Sequence, residues 1–224
     1  MSATTGVQPA LRRMGESDQA SGPGGPVDPA ERLATISGSN LLVVGPPMSG
    51  KRSFGLSVLA GAAGTGRDVL VVTASRRVTS LPFDPTDAGR FGVVDCTPGT
   101  VEEDGPVVDV GSPGDLTGIS MPVSRFLDGG EDPVVLLDSV SSILQYAEAE
   151  STFRFLSVLT SNVAGGGGVG LYTFDEGVHS ERTLRTFAQL FDGRVELREV
   201  GGGDGTEARI TGVAGVAGDW FRLD

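Results

Sequence analysis

Four consecutive apolar residues run straight into a glycine-framed loop that ends in lysine: Asn40-Leu-Leu-Val-Val-Gly45-Pro-Pro-Met-Ser-Gly50-Lys51-Arg52-Ser53. Leu41 to Val44 reads as a strand buried on both faces, which calls for a parallel sheet with helices on each side. Of the 17 basic residues only Lys51 is a lysine, and the rest are arginine. The one lysine stands where a phosphate-binding loop needs an ammonium to reach the β- and γ-phosphates of a nucleotide. The loop glycines let backbone N–H groups turn inward, and the N-terminus of the following helix adds its positive dipole end. The candidate cofactor-binding residues are Gly45, Pro46, Pro47, Met48, Ser49, Gly50, Lys51, Arg52 and Ser53. The expected cofactor is ATP or another nucleoside triphosphate, since no base-reading motif separates ATP from GTP.

One position departs from this Walker A pattern. Ser or Thr should follow the lysine and ligate Mg²⁺, and here Arg52 stands there. Ser53 comes one residue late, about 100° further around a helix. Either Ser53 reaches in through a shifted helix start, or metal binding is impaired; Arg52 can also bring charge to the phosphates itself. Val134-Val-Leu-Leu-Asp138-Ser139 is a Walker-B-like strand whose terminal acid holds Mg²⁺ or caps the next helix. Its place downstream of the loop favours the metal reading. The candidate metal ligands are therefore Asp138 and Ser53, with use of Mg²⁺ left open. After the second strand stands Thr73-Ala-Ser-Arg76-Arg77, with no acid to orient an attacking water. The two arginines contact phosphate or a neighbouring subunit, or are simply solvated. Asp95 ends the third strand and can face the same crevice, Asp115 reads as a helix cap, and neither His179 nor Cys96 has a visible partner.

Apolar strands alternate with helical stretches. Strands are expected at Asp68–Thr73, Phe91–Asp95, Pro106–Val110, Val134–Asp138 and Val169–Phe174. Helices are expected from Phe54 to about Gly64, over Asp115–Leu127, over Ser139–Asn162 with a break near Glu148–Ser151, and over Glu181–Phe191. This alternation implies βαβ units and a mainly parallel sheet flanked by helices. The alternating Arg194–Val200 segment, a Gly201–Gly205 turn, Glu207–Val213 and Trp220–Leu223 add a C-terminal antiparallel hairpin. Residues 1–28, rich in Ser, Gly and Pro, are expected to be a disordered tail before a single domain over 29–224. Gly165–Gly168 reads as a mobile connector.

The formal charge is −12. Abundant acids with almost no lysine match the proteins of salt-loving microbes, and at 1 M salt the Debye length is about 3 Å. Acidity thus reports the solvent more than the partner, although it argues against nucleic acid. One cysteine excludes an intrachain disulfide, and one histidine leaves no thiolate or imidazole zinc set. No apolar run approaches the ~18 residues of a membrane span, and Arg12-Arg13 is not followed by an apolar signal segment. A cytoplasmic protein is expected.

Together the Asn40–Lys51 segment, Ser112-Pro-Gly-Asp-Leu-Thr-Gly-Ile119 and Val134-Val-Leu-Leu-Asp-Ser-Val-Ser-Ser142 resemble the haloarchaeal branch of RecA/KaiC-like ATPase domains. Thr186-Phe-Ala-Gln-Leu-Phe-Asp-Gly-Arg-Val-Glu196 is similar to the end of those domains. The resemblance, over residues 36–213, implies a RecA-like P-loop core with ATP on Gly45–Ser53 and Mg²⁺ near Asp138. It also implies assembly, as a homo-oligomer or with a protein partner, because such sites often lie between subunits. Active relatives carry a glutamate after the second strand, where this chain has Ser75-Arg76, and Ser or Thr where it has Arg52. Both departures touch metal and water activation and leave the phosphate cradle intact. The leading expectation is an ATP-binding regulatory protein with a degenerate hydrolysis site, acting as a nucleotide-responsive switch or assembly factor. The alternatives are an active Mg²⁺-dependent ATPase, a DNA-associated recombinase-paralogue-like protein, and a structural pseudoenzyme.

Overall fold

The computed structural model describes residues 32–34, 36–99, 106–130, 132–200, 205–214, 216 and 218–223. The expected N-terminal tail and all but the last residue of the Gly201–Gly205 turn lie outside these residues. The strands are β1 Ser39–Gly45, β2 Val69–Thr73, β3 Phe91–Asp95, β4 Val107–Asp109, β5 Val134–Asp138, β6 Val169–Asp175, β7 Gly193–Glu199, β8 Thr206–Thr211 and β9 Trp220–Leu223. The helices are α1 Lys51–Gly64, α2 Leu116–Asp128, α3 Val140–Ile143, α4 Ala149–Gly165 and α5 Glu181–Ala188.

The strands form one sheet in the order β4-β3-β2-β5-β6-β1-β7-β8-β9. From β4 to β7 all pairings are parallel. β8 and β9 then add antiparallel to β7. The expected α/β class with a C-terminal antiparallel edge is therefore found. Because side chains alternate along a strand, each central strand feeds two apolar layers. Leu41, Val43, Val69, Val71, Val134, Leu136 and Leu171 point to the layer filled by Phe54, Val58 and Leu59 of α1. Leu42, Val44, Leu70, Val72, Val135, Leu137 and Phe174 point to the other, filled by Ile119, Val123, Ile143, Leu156, Val163 and Phe187 of the remaining helices. Each such burial contributes roughly 1.5–3 kcal/mol, which is why the central strands carry unbroken apolar runs such as Leu41–Val44 and Val134–Leu137.

Several boundaries differ from expectation. α1 begins at Lys51, three residues before its first apolar side chain, because Gly50 closes the loop directly onto the helix. The stretch expected over 139–162 is broken, as expected, into two helices, with the break over 144–148; α3 is capped by Ser139, whose Oγ accepts from Ser142 N at 3.0 Å. β6 extends one residue further, to Asp175. Asp115 caps α2 as expected, accepting from Gly118 N at 2.8 Å.

α1 lies close to the sheet. A Cβ on Gly55 would stand 2.5 Å from Leu136 Cδ1, so the glycine is what allows the helix this near β5. On the far face a polar pin fixes β1. Asn40 donates from Nδ2 to Thr160 O at 3.0 Å and accepts from the Tyr172 hydroxyl at 3.0 Å. Burial, and then Asp192, push the Tyr172 phenol well above its ordinary pKa, so it stays a donor. Among the described residues no helix is long and apolar enough to cross a membrane.

Candidate functional site

The carboxyl ends of β1, β5 and β6 stand side by side in the middle of the sheet, where ligands of open α/β sheets bind. The loop after β1 turns through Met48 (φ 65°) and Gly50 (φ 84°) before α1 begins. Both angles are left-handed, and glycine adopts that region without a Cβ penalty. Gly50 serves as N-cap without a side-chain bond. The first-turn N–H groups of a helix have no acceptor within it, so α1 turns its donors and its positive dipole end toward the loop. Ser49 and Lys51 are buried, whereas Met48 is 97% exposed at the tip.

Lys51 Nζ is held inside this turn. It donates to Gly45 O at 2.9 Å, to Pro46 O, and to Ser49 Oγ at 3.4 Å. It also pairs with Asp175 Oδ1 at 3.0 Å. Asp175 ends β6, and its backbone N–H donates to Ser141 Oγ at 2.8 Å.

Strand periodicity places the next group. Thr73, Asp95, Asp138, Thr173 and Asp175 share the parity of Val71, Val93, Leu136 and Leu171, so they face the α1 side. Thr73 is in register with both Asp95 and Asp138. Asp138 Oδ1 accepts from Thr173 Oγ1 at 2.8 Å. Its Oδ2 accepts from Ser75 Oγ at 2.7 Å and from Arg52 NH1 at 2.7 Å. Arg52 NH1 also donates to Thr73 Oγ1 at 3.2 Å and Arg76 O at 3.0 Å, and its NH2 donates to Arg77 O at 3.4 Å. The guanidinium thus lies among a carboxylate, a hydroxyl and two carbonyls.

The sequence candidates sort accordingly. Gly45 through Gly50 form the loop, and Lys51 and Arg52 point from the start of α1 into the crevice. Ser53 is exposed on α1. Asp138 is buried at the end of β5; the cap of α3 is Ser139. Asp95 accepts from Thr97 N at 2.8 Å and Thr97 Oγ1 at 2.6 Å, and pairs with Arg77 Nε at 3.4 Å. Arg76 is exposed and lends the site its carbonyl. Asp175, Thr173, Thr73 and Ser75 were not picked out by motif. Asp175 carried the same signal as Asp138, an acid ending an apolar strand, and parity would have found the two threonines.

Cys96 follows β3 and is buried. Burial, then the carboxylates of Asp95, Asp109 and Asp115, push its thiol up to about 12. It is therefore no nucleophile at neutral pH.

A divalent cation in such a site would need the Asp138 carboxylate and a hydroxyl one residue after Lys51. Asp138 is engaged by Arg52, and that hydroxyl position is Arg52 itself. Among the described residues no three His, Cys, Asp or Glu side chains converge as a metal set. The residues present do not fit Mg²⁺.

The solved structure of the flagellar accessory protein FlaH from Methanocaldococcus jannaschii is similar to this chain. Its TM-score is 0.59 at 15% identity, covering 82% of this chain and 84% of FlaH. At that identity the likeness is one of fold, and the fold is RecA-like. No curated protein matches the sequence. A family pattern covers residues 38–197, from the start of the first strand to the seventh. The chain belongs to the family of unknown function DUF7504.

Proposed function

We propose that the protein is a nucleotide-binding regulator, a KaiC-like switch or assembly factor that binds ATP or a related nucleotide and hydrolyses it slowly or not at all. The observation that carries this reading is Lys51, folded onto the Gly45 and Pro46 carbonyls at the N-terminus of a 14-residue helix. Swung outward, the same ammonium meets a phosphate held by the first-turn N–H groups of α1. Hydrolysis also needs a group that orients water. The residues after β2 are Ser75, whose hydroxyl donates to Asp138, and Arg76, which is exposed. Neither is a base, so binding is separated from turnover. A switch requires a nucleotide to favour one state over another. Assembly with further copies or with a protein partner is the readout that the resemblance to RecA/KaiC-like domains suggests, and a salt-loving, cytoplasmic setting fits the acidic composition.

The test is thermal stability in molar KCl with ATP, ADP or GTP, for wild type and Lys51→Ala. Ligand at ~100 times its dissociation constant stabilises by about 2.7 kcal/mol. A shift lost in Lys51→Ala is expected. If no nucleotide shifts the wild type, the loop is a scaffold and this reading is wrong. A steady release of phosphate that depends on Lys51 would instead support the ATPase reading.

A further inference from the structure

We propose that this site takes its nucleotide as the metal-free polyphosphate anion, with the Arg52 guanidinium serving as the resident cation in the place a divalent ion would occupy. The inference rests on the nucleotide reading above. Three observations carry it. Arg52 follows Lys51 directly, so its side chain leaves the first turn of α1 at the position of the expected metal-binding hydroxyl. Its NH1 donates to Asp138 Oδ2 at 2.7 Å, and both side chains are nearly buried, at 15% and 8% exposure. Its other acceptors, Thr73 Oγ1, Arg76 O and Arg77 O, give it the oxygen surroundings of a bound cation.

A guanidinium cannot lose its proton in a protein and carries five donors in a fixed fork. Here the NH1–NH2 edge is spent on the protein. The Nε–NH2 edge of the same fork is the one that can meet phosphate oxygens bidentately. A divalent ion entering the same space would face the guanidinium charge. It would also have to share an Asp138 carboxylate already bonded to Ser75, Thr173 and Arg52. Mg²⁺ therefore competes with the protein for nucleotide by binding it in solution.

The experiment is calorimetric titration of the full chain with ATP in molar KCl, once with EDTA and once with excess MgCl₂, repeated for Arg52→Thr. Wild type is expected to bind at least as tightly in EDTA as in Mg²⁺. Arg52→Thr is expected to bind at least tenfold more weakly in EDTA and to recover in Mg²⁺, a rescue that also shows the variant is folded. If Arg52→Thr does not fold, the wild-type comparison alone decides. Wild-type binding that requires Mg²⁺ overturns this inference and leaves nucleotide binding standing. Absence of ATP binding in both conditions overturns both.

Discussion

Lys51 and Arg52 are adjacent in the chain, yet each is matched with its own carboxylate, Asp175 and Asp138. The two pairs differ in exposure. Asp138 is 8% exposed with three donors on its oxygens, whereas Asp175 is 28% exposed and its carboxylate pairs with Lys51. A phosphate must displace Asp175 from Lys51 and then lie near its charge. Asp175→Asn is therefore expected to tighten ATP binding by up to about fivefold, near 1 kcal/mol, the upper end for a partly exposed ion pair. Titration in molar KCl reads this directly, and an unchanged affinity would mean that the ligand never meets this carboxylate. Cys96 provides a second prediction at this scale. With its thiol pushed up to about 12 by burial, it should resist alkylation at pH 8 in the folded protein. Reaction with a thiol reagent should appear only as denaturant unfolds the chain; rapid labelling of the native protein would contradict the burial seen here.

At the scale of elements, α1 sets two opposing rules for the same substitution. Gly→Ala inside a helix ordinarily gains up to about 1 kcal/mol. At Gly55 the new methyl would meet three atoms of Leu136, a fully buried side chain, at 2.5 to 3.3 Å. Gly55→Ala should therefore destabilise by roughly 1–3 kcal/mol, as overpacking does. Gly64, at the end of the same helix, has nothing within 4 Å of its Cβ position. Gly64→Ala should stabilise by roughly 0.5–1 kcal/mol. Urea unfolding of both variants checks the pair, and the same sign at both positions would show that α1 does not sit against β5 as described. The same packing brings Arg52 to Asp138, because a helix held further from the sheet could not reach the end of β5 with a single side chain.

Across the whole molecule, the parallel strands were legible because burial on both faces writes them as unbroken apolar runs, as in Val134–Leu137 and Val69–Val72. The antiparallel edge was legible for the opposite reason: β7 alternates around Val195 and Leu197. The start of α1 was missed because Lys51, Arg52 and Ser53 carry no apolar period, and the expected break near Glu148–Ser151 begins a few residues earlier, after Ile143. Strand order could not be read, since it depends on which runs neighbour one another in space. For the site, motif spacing marked Lys51 and Asp138. It could not show that Arg52 would lie on Asp138 or that Asp175 would hold Lys51, because both contacts join the start of α1 to strand ends far away in sequence. The Arg52–Asp138 contact has one further consequence. A metal ion leaves its site on dilution or chelation, whereas a side chain is delivered by translation, one per polypeptide. The countercharge beside Asp138 thus has a stoichiometry fixed in the gene, whatever the growth medium contains.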